Sequence, residues 1–491
     1  MGVGKQSWRI IVGILVLLAL AGLVASAMLA MRFLQDEAVA YDDVVEHFKY
    51  GSTGGERNLG FPYWVWKAMP RVCADHLPTN GLADLGFFIE EGRDLPVGMS
   101  KRRHLGIDRV FLNCAVCHSS TVRTAAEEPP QLVLGMPAAT LNLMAFEQFM
   151  QDCVSDVRFS PDFLLPEIQA MGANLGLLDR YVVYPLAIHI MRDRVIGLLH
   201  RLRFFKLQPD WGPGRVDTFG SAKGLFNFSF EELPQQEMIG SADFPSIWMQ
   251  APREQMNLHW DGNNRRVQER NLNASFGTGA TPPSIDHDGI ERIQEWLWTL
   301  QPPPYPFAIE RQLADRGQSV YARYCAHCHG VDGRDFSGDS VGEVIPLAEI
   351  GTDRSRLDSF TPTLSRNLGA VYAGYPEYRF KNFRKTWGYA TMPLDGLWLR
   401  APYLHNGSVP SVWDLLQPAA QRPVSFFRGN DLYHPSHLGF VWDQEKEGER
   451  KYFLFDTTLP GNGNQGHEGP DYGTELPDDD KWAVVEYLKT F

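Results

Sequence analysis

The longest apolar run of the chain lies near its start: from Trp8 to Met31 the only charge is Arg9, with Lys5 just upstream. That length suits a helix spanning a bilayer. Ala25-Ser26-Ala27 has the small residues of a cleavage site, but the apolar stretch continues past it to Met31, so a retained anchor is expected over a cleaved signal peptide. Either way, residues from about Arg32 onward are exported, and the periplasmic side of a bacterial inner membrane is the expected location, secretion being the alternative. Later apolar positions recur at helical spacing. Ile293, Trp296, Leu297 and Leu300 share one face of a predicted helix that stops at Gln301-Pro302-Pro303-Pro304. Trp482, Val485 and Leu488 do the same in Lys481 to Phe491, behind the acids Asp478 to Asp480. Glu295-Trp-Leu-Trp-Thr-Leu answers Glu486-Tyr-Leu-Lys-Thr-Phe, which reads as a loose duplication. The interval between Met150 and Ser241 has no counterpart in the second copy and reads as an insertion. Within it, Leu178 to Phe205 mixes apolar residues with Arg and His; a packed amphipathic helix is expected there, ahead of a membrane-surface or substrate-channel role.

Composition narrows the class. With 491 residues, 44% hydrophobic, the chain exceeds one modest core. Its 13 Trp, 17 Tyr and 29 Phe exclude a disordered chain. Lys+Arg 46 against Asp+Glu 59 gives a net charge of −13 without a basic run, so nucleic acid is not an expected partner.

Four of the six cysteines fall in two identical frames, Cys114-Ala115-Val116-Cys117-His118 and Cys325-Ala326-His327-Cys328-His329. In Cys-x-x-Cys-His, two thiols one helical turn apart add to the haem vinyl groups and the adjacent His turns its imidazole to the iron. Two covalently bound c-type haems are expected, with His118 and His329 as iron ligands; a zinc site or thioredoxin-like pair would leave both histidines unused. Cys73 and Cys153 are expected to be bridged in an oxidising compartment, two separate buried thiols being the alternative. The predicted fold class is mainly α: two cytochrome c-type haem domains in tandem, a helical insertion in the first, and a transmembrane helix ahead of them. The boundaries are 1–35 for the anchor or signal, 36–300 for the N-terminal haem domain with the insertion at about 151–240, 301–309 for a linker, and 310–491 for the C-terminal domain.

Two further segments, Leu258-His259-Trp260-Asp261-Gly262 continuing to Glu269-Arg270-Asn271, and Arg400-Ala401-Pro402-Tyr403-Leu404-His405-Asn406-Gly407-Ser408-Val409-Pro410, resemble the bacterial di-haem cytochrome c peroxidase superfamily. The resemblance implies that Trp260 lies between the haems as an electron relay. Where peroxidases place an acid about twenty residues after that Trp, this chain has Ala280, and Gly277 to Pro282 holds no carboxylate. Where many have a distal Met after the Pro-Tyr-x-His motif, it has Ala419, so His405 becomes the expected distal ligand opposite His329, with Met392 the alternative. These departures resemble the rubber-oxygenase-like branch, which implies an O₂-binding N-terminal haem with a Phe nearby; Phe276 suits that role, core packing being the alternative. The likeness extends to Gly135-Met136-Pro137-Ala138 and Gly463-Asn464-Gln465-Gly466-His467-Glu468, without assigned roles. Met136 is read as structural rather than as a sixth ligand, and His76, His104, His189, His200 and His259 as packing or surface residues. Trp260, Glu269 and Phe276 are the candidate catalytic residues.

The expected function is an exported di-haem oxidoreductase. O₂ or peroxide is activated at the His118 haem, and electrons are relayed by the His329 haem. The alternative is a membrane-tethered carrier with both irons six-coordinate, for example His118/Met136 and His329/Met392. Expected partners are a small redox substrate, the inner membrane through the N-terminal helix, and a small basic donor cytochrome suited to the acidic surface. A retained anchor suits an oxidoreductase better than an enzyme cleaving extracellular rubber. Calcium between the domains is an unassigned candidate, since Arg400 stands where the motif often has a small polar residue.

Overall fold

A computed structural model describes residues 3–491; Met1 and Gly2 of the predicted 1–35 segment lie outside the described residues. The opening helix Val3–Leu34 contains a stretch, Ser7–Leu34, whose most apolar part has mean hydropathy 2.8 and no burial against the rest of the chain; its last turn touches the body through Arg32. Its length and composition suffice to cross a membrane.

The body is mainly helical, with one four-stranded sheet and six two-stranded ones among the described residues. The larger sheet is antiparallel throughout and runs Asp36–Ala38, Met99–His104, Ile107–Leu112, Phe61–Pro62 across its width. Leu105 and Gly106, both at positive φ, make the two-residue turn of its central hairpin. The sequence expectation omitted this sheet because its strands are short and carry charges such as Arg102, Arg103 and Asp108. The first haem-attachment frame begins two residues after Leu112, so the hairpin aims it.

The first core packs this sheet against helices Tyr63–Val72, Leu143–Ser155, Pro161–Ala170 and Tyr184–Arg201. Cys73 and Cys153 are bridged across it, their Cα atoms 5.5 Å apart, closing a loop that contains Cys114 and Cys117. The insertion helix Tyr184–Arg201 buries Tyr184, Ile188, Met191 and Val195, the spacing of one helical face.

Two helix pairs cross in the body. In the first, Val44–Tyr50 lies on His287–Thr299, with Phe48 and Trp296 ring centroids 5.1 Å apart. In the second, Arg311–Tyr324 crosses Asp478–Leu488 so closely that a Cβ on Gly317 would stand 1.9 Å from the Ala483 carbonyl oxygen. The halves also share packing. Val122, Met136, Ala139 and Trp248 join Tyr321, Leu399 and Val485 in one core. The predicted linker is packed: Trp398 Nε1 donates to the Pro303 carbonyl at 2.9 Å and the Tyr305 hydroxyl to that of Pro435 at 3.0 Å. Buried ion pairs Arg123–Asp431 (2.7 Å), Arg428–Asp243 (2.9 Å) and Arg356–Asp261 (2.9 Å) cross between the halves.

Candidate functional site

Asn113 sets the first frame. Its side-chain oxygen accepts from Ala115 N at 3.0 Å, capping the single turn Cys114–Cys117, while its Nδ2 donates to the Gly51 carbonyl at 2.9 Å. Gly135 N and Ala138 N donate to the carbonyls of His118 and Cys117 at 2.8 and 3.1 Å, so Gly135 to Ala138 strap the frame from behind. Met136 itself is wholly buried in the shared core. His118 Nδ1 is 3.0 Å from the Pro245 carbonyl. Donation there fixes the tautomer and leaves Nε2 free for a metal. Burial, reinforced by the nearby Arg270, holds this imidazole down to about 4, so it is neutral, as a ligand must be.

The second frame repeats the device: His329 Nδ1 lies 2.8 Å from the Met392 carbonyl, and burial lowers its pKa. Opposite stands His467. The two ring centroids are 6.3 Å apart. Two metal–nitrogen bonds of about 2 Å plus the half-widths of two imidazoles, roughly 1.2 Å each, come to about the same span. The His467 ring is partly exposed, but its Nδ1 is buried without a protein partner, and burial with His329 nearby lowers it to about 3. Its loop is held by buried Arg422, which donates to the carbonyls of Gln417, Leu415, Asn464, Gly466 and His467 itself. His467 N donates to the Ile350 carbonyl at 2.8 Å, and Gly466, at positive φ, admits no Cβ against Gly351.

His405, the expected distal ligand, sits elsewhere. Its ring stacks on Tyr389 at 3.9 Å and its carbonyl accepts from Asp243 N at 3.0 Å, so it is spent on packing between the halves. The imidazole that faces His329 is that of His467. The sequence drew attention to Gly463 to Glu468, yet nothing local in that segment says which ring it will face. Thiols, fixed proximal imidazoles and the unpartnered His467 nitrogen together form a donor set that fits covalently attached haem.

Trp260 is hydrogen-bonded to segments close in sequence to the proximal contacts of both frames. Its indole Nε1 donates to the Asp243 carbonyl at 2.7 Å, and its own carbonyl accepts from Ala390 N at 2.8 Å. Asp243 is two residues from Pro245, which holds His118, and Ala390 is two residues from Met392, which holds His329. A hydrogen-bonded backbone path therefore joins the two imidazoles through Trp260. Glu269 is not free for proton transfer: it accepts from Lys381 N (2.9 Å), Asn382 N (3.1 Å), Asn382 Nδ2 (2.9 Å) and Asn264 Nδ2 (3.2 Å), and so positions that loop. Phe276 packs in a cluster with Tyr372, Tyr378 and Phe380 at 4.5, 5.6 and 5.9 Å between centroids. His259 is likewise engaged, with Nδ1 2.6 Å from Asn263 Oδ1.

One carboxyl near the first frame escaped the sequence reading. Glu147 lies on helix Leu143–Ser155, four residues after Leu143 and three before Met150, and so on its apolar face. That placement was the available signal. Its Oε2 has no partner, and burial pushes its carboxyl up to about 8; it is close enough to raise the Cys117 thiol. It lines an apolar cavity of about 850 Å³, open mouth included, with Phe61, Trp66, Phe146, Met150 and Val195. Potential calcium ligands gather, among the described residues, only at Asp75, His76 and Asp156, where Arg158 already pairs with both carboxylates. Arg400 pairs instead with Asp395 at 2.6 Å.

Two Cys-x-x-Cys-His frames with oriented proximal imidazoles define, by class, a c-type cytochrome. In agreement, residues 388–427 match the family described as RoxA-like, cytochrome c-like. The chain is 33% identical over 518 aligned positions to the uncharacterised protein y4iJ of Sinorhizobium fredii, covering 84% of this chain and 85% of that one. It belongs to the same family as y4iJ. A second protein of that organism, y4iM, also uncharacterised, is 28% identical over 327 positions, or 58% of this chain and 71% of its own.

Proposed function

We propose that this is an exported di-haem oxidoreductase in which O₂ or peroxide reacts at the His118 site and electrons arrive through the His329 site. The contrast between the two frames carries the reading: His329 has a second imidazole opposite it, and His118 has no such ring contact among the described residues. A haem at each frame would supply a redox-active iron, held by His118 at the first frame and by His329 with His467 at the second. His467 would hold that iron opposite His329, in the role first expected for His405. Trp260 provides the path between the sites. Glu147, neutral at pH 7, holds a proton on its carboxyl beside the open site and takes over the work of the acid that Ala280 lacks. The apolar lining of the cavity disfavours charge on that carboxyl. The helix Val3–Leu34 anchors the body on the periplasmic side, and the acidic surface receives a small basic donor cytochrome.

Electron paramagnetic resonance of the oxidised protein, with carbon monoxide difference spectra after reduction, tests this. The expected result is one low-spin bis-histidine signal and one carbon monoxide-binding haem. Two low-spin haems that ignore carbon monoxide would leave a tethered electron carrier.

A further inference from the structure

The insertion helix is packed on one face only. Along Asp179–Val183 and Tyr184–Arg201 the opposite face leaves Tyr181 66%, Val182 53%, Leu186 58% and Ile190 41% exposed, with Leu177 at 79% just before them. Monomeric proteins rarely expose contiguous apolar clusters of this kind without a partner. Its position names the partner. Arg32, in the last turn of the apolar N-terminal helix, ion-pairs with Asp179 inside this segment and donates to the Gly106 carbonyl at 3.0 Å, at the tip of the sheet's hairpin. At the same junction Leu34 and Leu105 are exposed at 81% and 47%. Three separate chain segments thus place large apolar side chains beside the point where the spanning helix ends, and Arg180 stands among them.

We propose that the face from Leu177 to Ile190 is a second membrane contact, lying in the interfacial layer of the bilayer that residues 7–34 cross. The inference rests on the anchor reading of that helix. Burial of these side chains at the acyl boundary supplies the apolar environment the fold does not, and Arg180 meets lipid headgroups. The body is then held in a fixed orientation, with the Tyr184–Arg201 helix between lipid on one side and the first core on the other.

The test uses the full-length, haem-loaded chain in vesicles of phosphatidylethanolamine and phosphatidylglycerol, with benzoylphenylalanine in place of Leu186, Ile190 or, as a control, the distant exposed Val331. After illumination, lipid adducts are expected at positions 186 and 190 and not at 331, with an unchanged haem spectrum showing that each variant is folded. Adducts to a second protein chain at 186 would overturn the proposal in favour of self-association, and absence of any adduct there would overturn it outright. Intact mass separates the two readings: a chain cleaved after Ala27 refutes the anchor, and lipid adducts on such a chain still support the surface contact while their absence refutes it.

Discussion

The two haem-attachment frames are alike on the proximal side and unlike on the other. Each fixes its histidine by an Nδ1 hydrogen bond to a backbone carbonyl, from Pro245 in one and Met392 in the other. Across from His329 the chain brings a second imidazole on a loop clamped by a guanidinium. Beside the first frame it leaves an apolar cavity with one unpaired carboxyl. The proximal device is what attachment needs. On the proposed reading, this difference on the distal side is what would suit one frame to passing electrons and the other to meeting a small molecule.

Removing His467 should erase the difference. The His467→Ala protein is expected to bind carbon monoxide at both reduced haems, doubling the stoichiometry, and to lose the bis-histidine signal. Glu147→Gln acts on the other side of the comparison. General acid assistance contributes on the order of a hundredfold, so the reaction of the reduced protein with peroxide should slow by about that much in stopped-flow traces. In the unaltered protein this rate should be highest below pH 8 and fall as pH rises through the Glu147 value of about 8, a limb absent from the variant. Stability follows the same sign. A carboxyl raised in the folded state favours folding fully below its unfolded value near 4.5, and that contribution is lost by about pH 8, so denaturant midpoints of the unaltered protein should drop across this window relative to Glu147→Gln. Trp260→Phe keeps both sites but deletes the Nε1 link to Asp243. Losing that link from the path is expected to slow inter-haem electron transfer after flash reduction, while the bond itself is worth only about 1 kcal/mol of stability. The smallest effect belongs to Arg422→Lys, which cannot reproduce the fork to the loop carbonyls. A partial high-spin population at the second haem should appear in its absorption spectrum, with a stability loss of about 1–3 kcal/mol.

What the sequence revealed and what it hid divide along the range of the interactions. The Cys-x-x-Cys-His frames, the helix ending at Thr299 and the final helix to Leu488 are written in spacings of one to four residues, so they are legible without a fold. The insertion helix was legible as amphipathic, but not as having two apolar faces, because the second lies among His189, Asp193 and His200. His467 could not be assigned, since its position depends on Gly466 fitting against Gly351 and on an arginine 45 residues away in the chain. His405 drew the assignment because its motif is the more recognisable, and the ring proved to be stacked on Tyr389. Glu147 needed only its helical position weighed against its charge. The hairpin that aims the first frame was hidden by strands too short and too charged to show a period.

The Cys73–Cys153 bridge spans a sequence separation of 80 that contains Cys114 and Cys117. Of the single bridges that four such thiols can form, only Cys73–Cys153 leaves both attachment cysteines reduced. In the closed fold their burial pushes them up to about 11 and 12, where thiolate is scarce at neutral pH and thioether formation has little nucleophile to use. Oxidation of the outer pair is what keeps the inner thiols available, and haem attachment is expected to come before the first core closes over them.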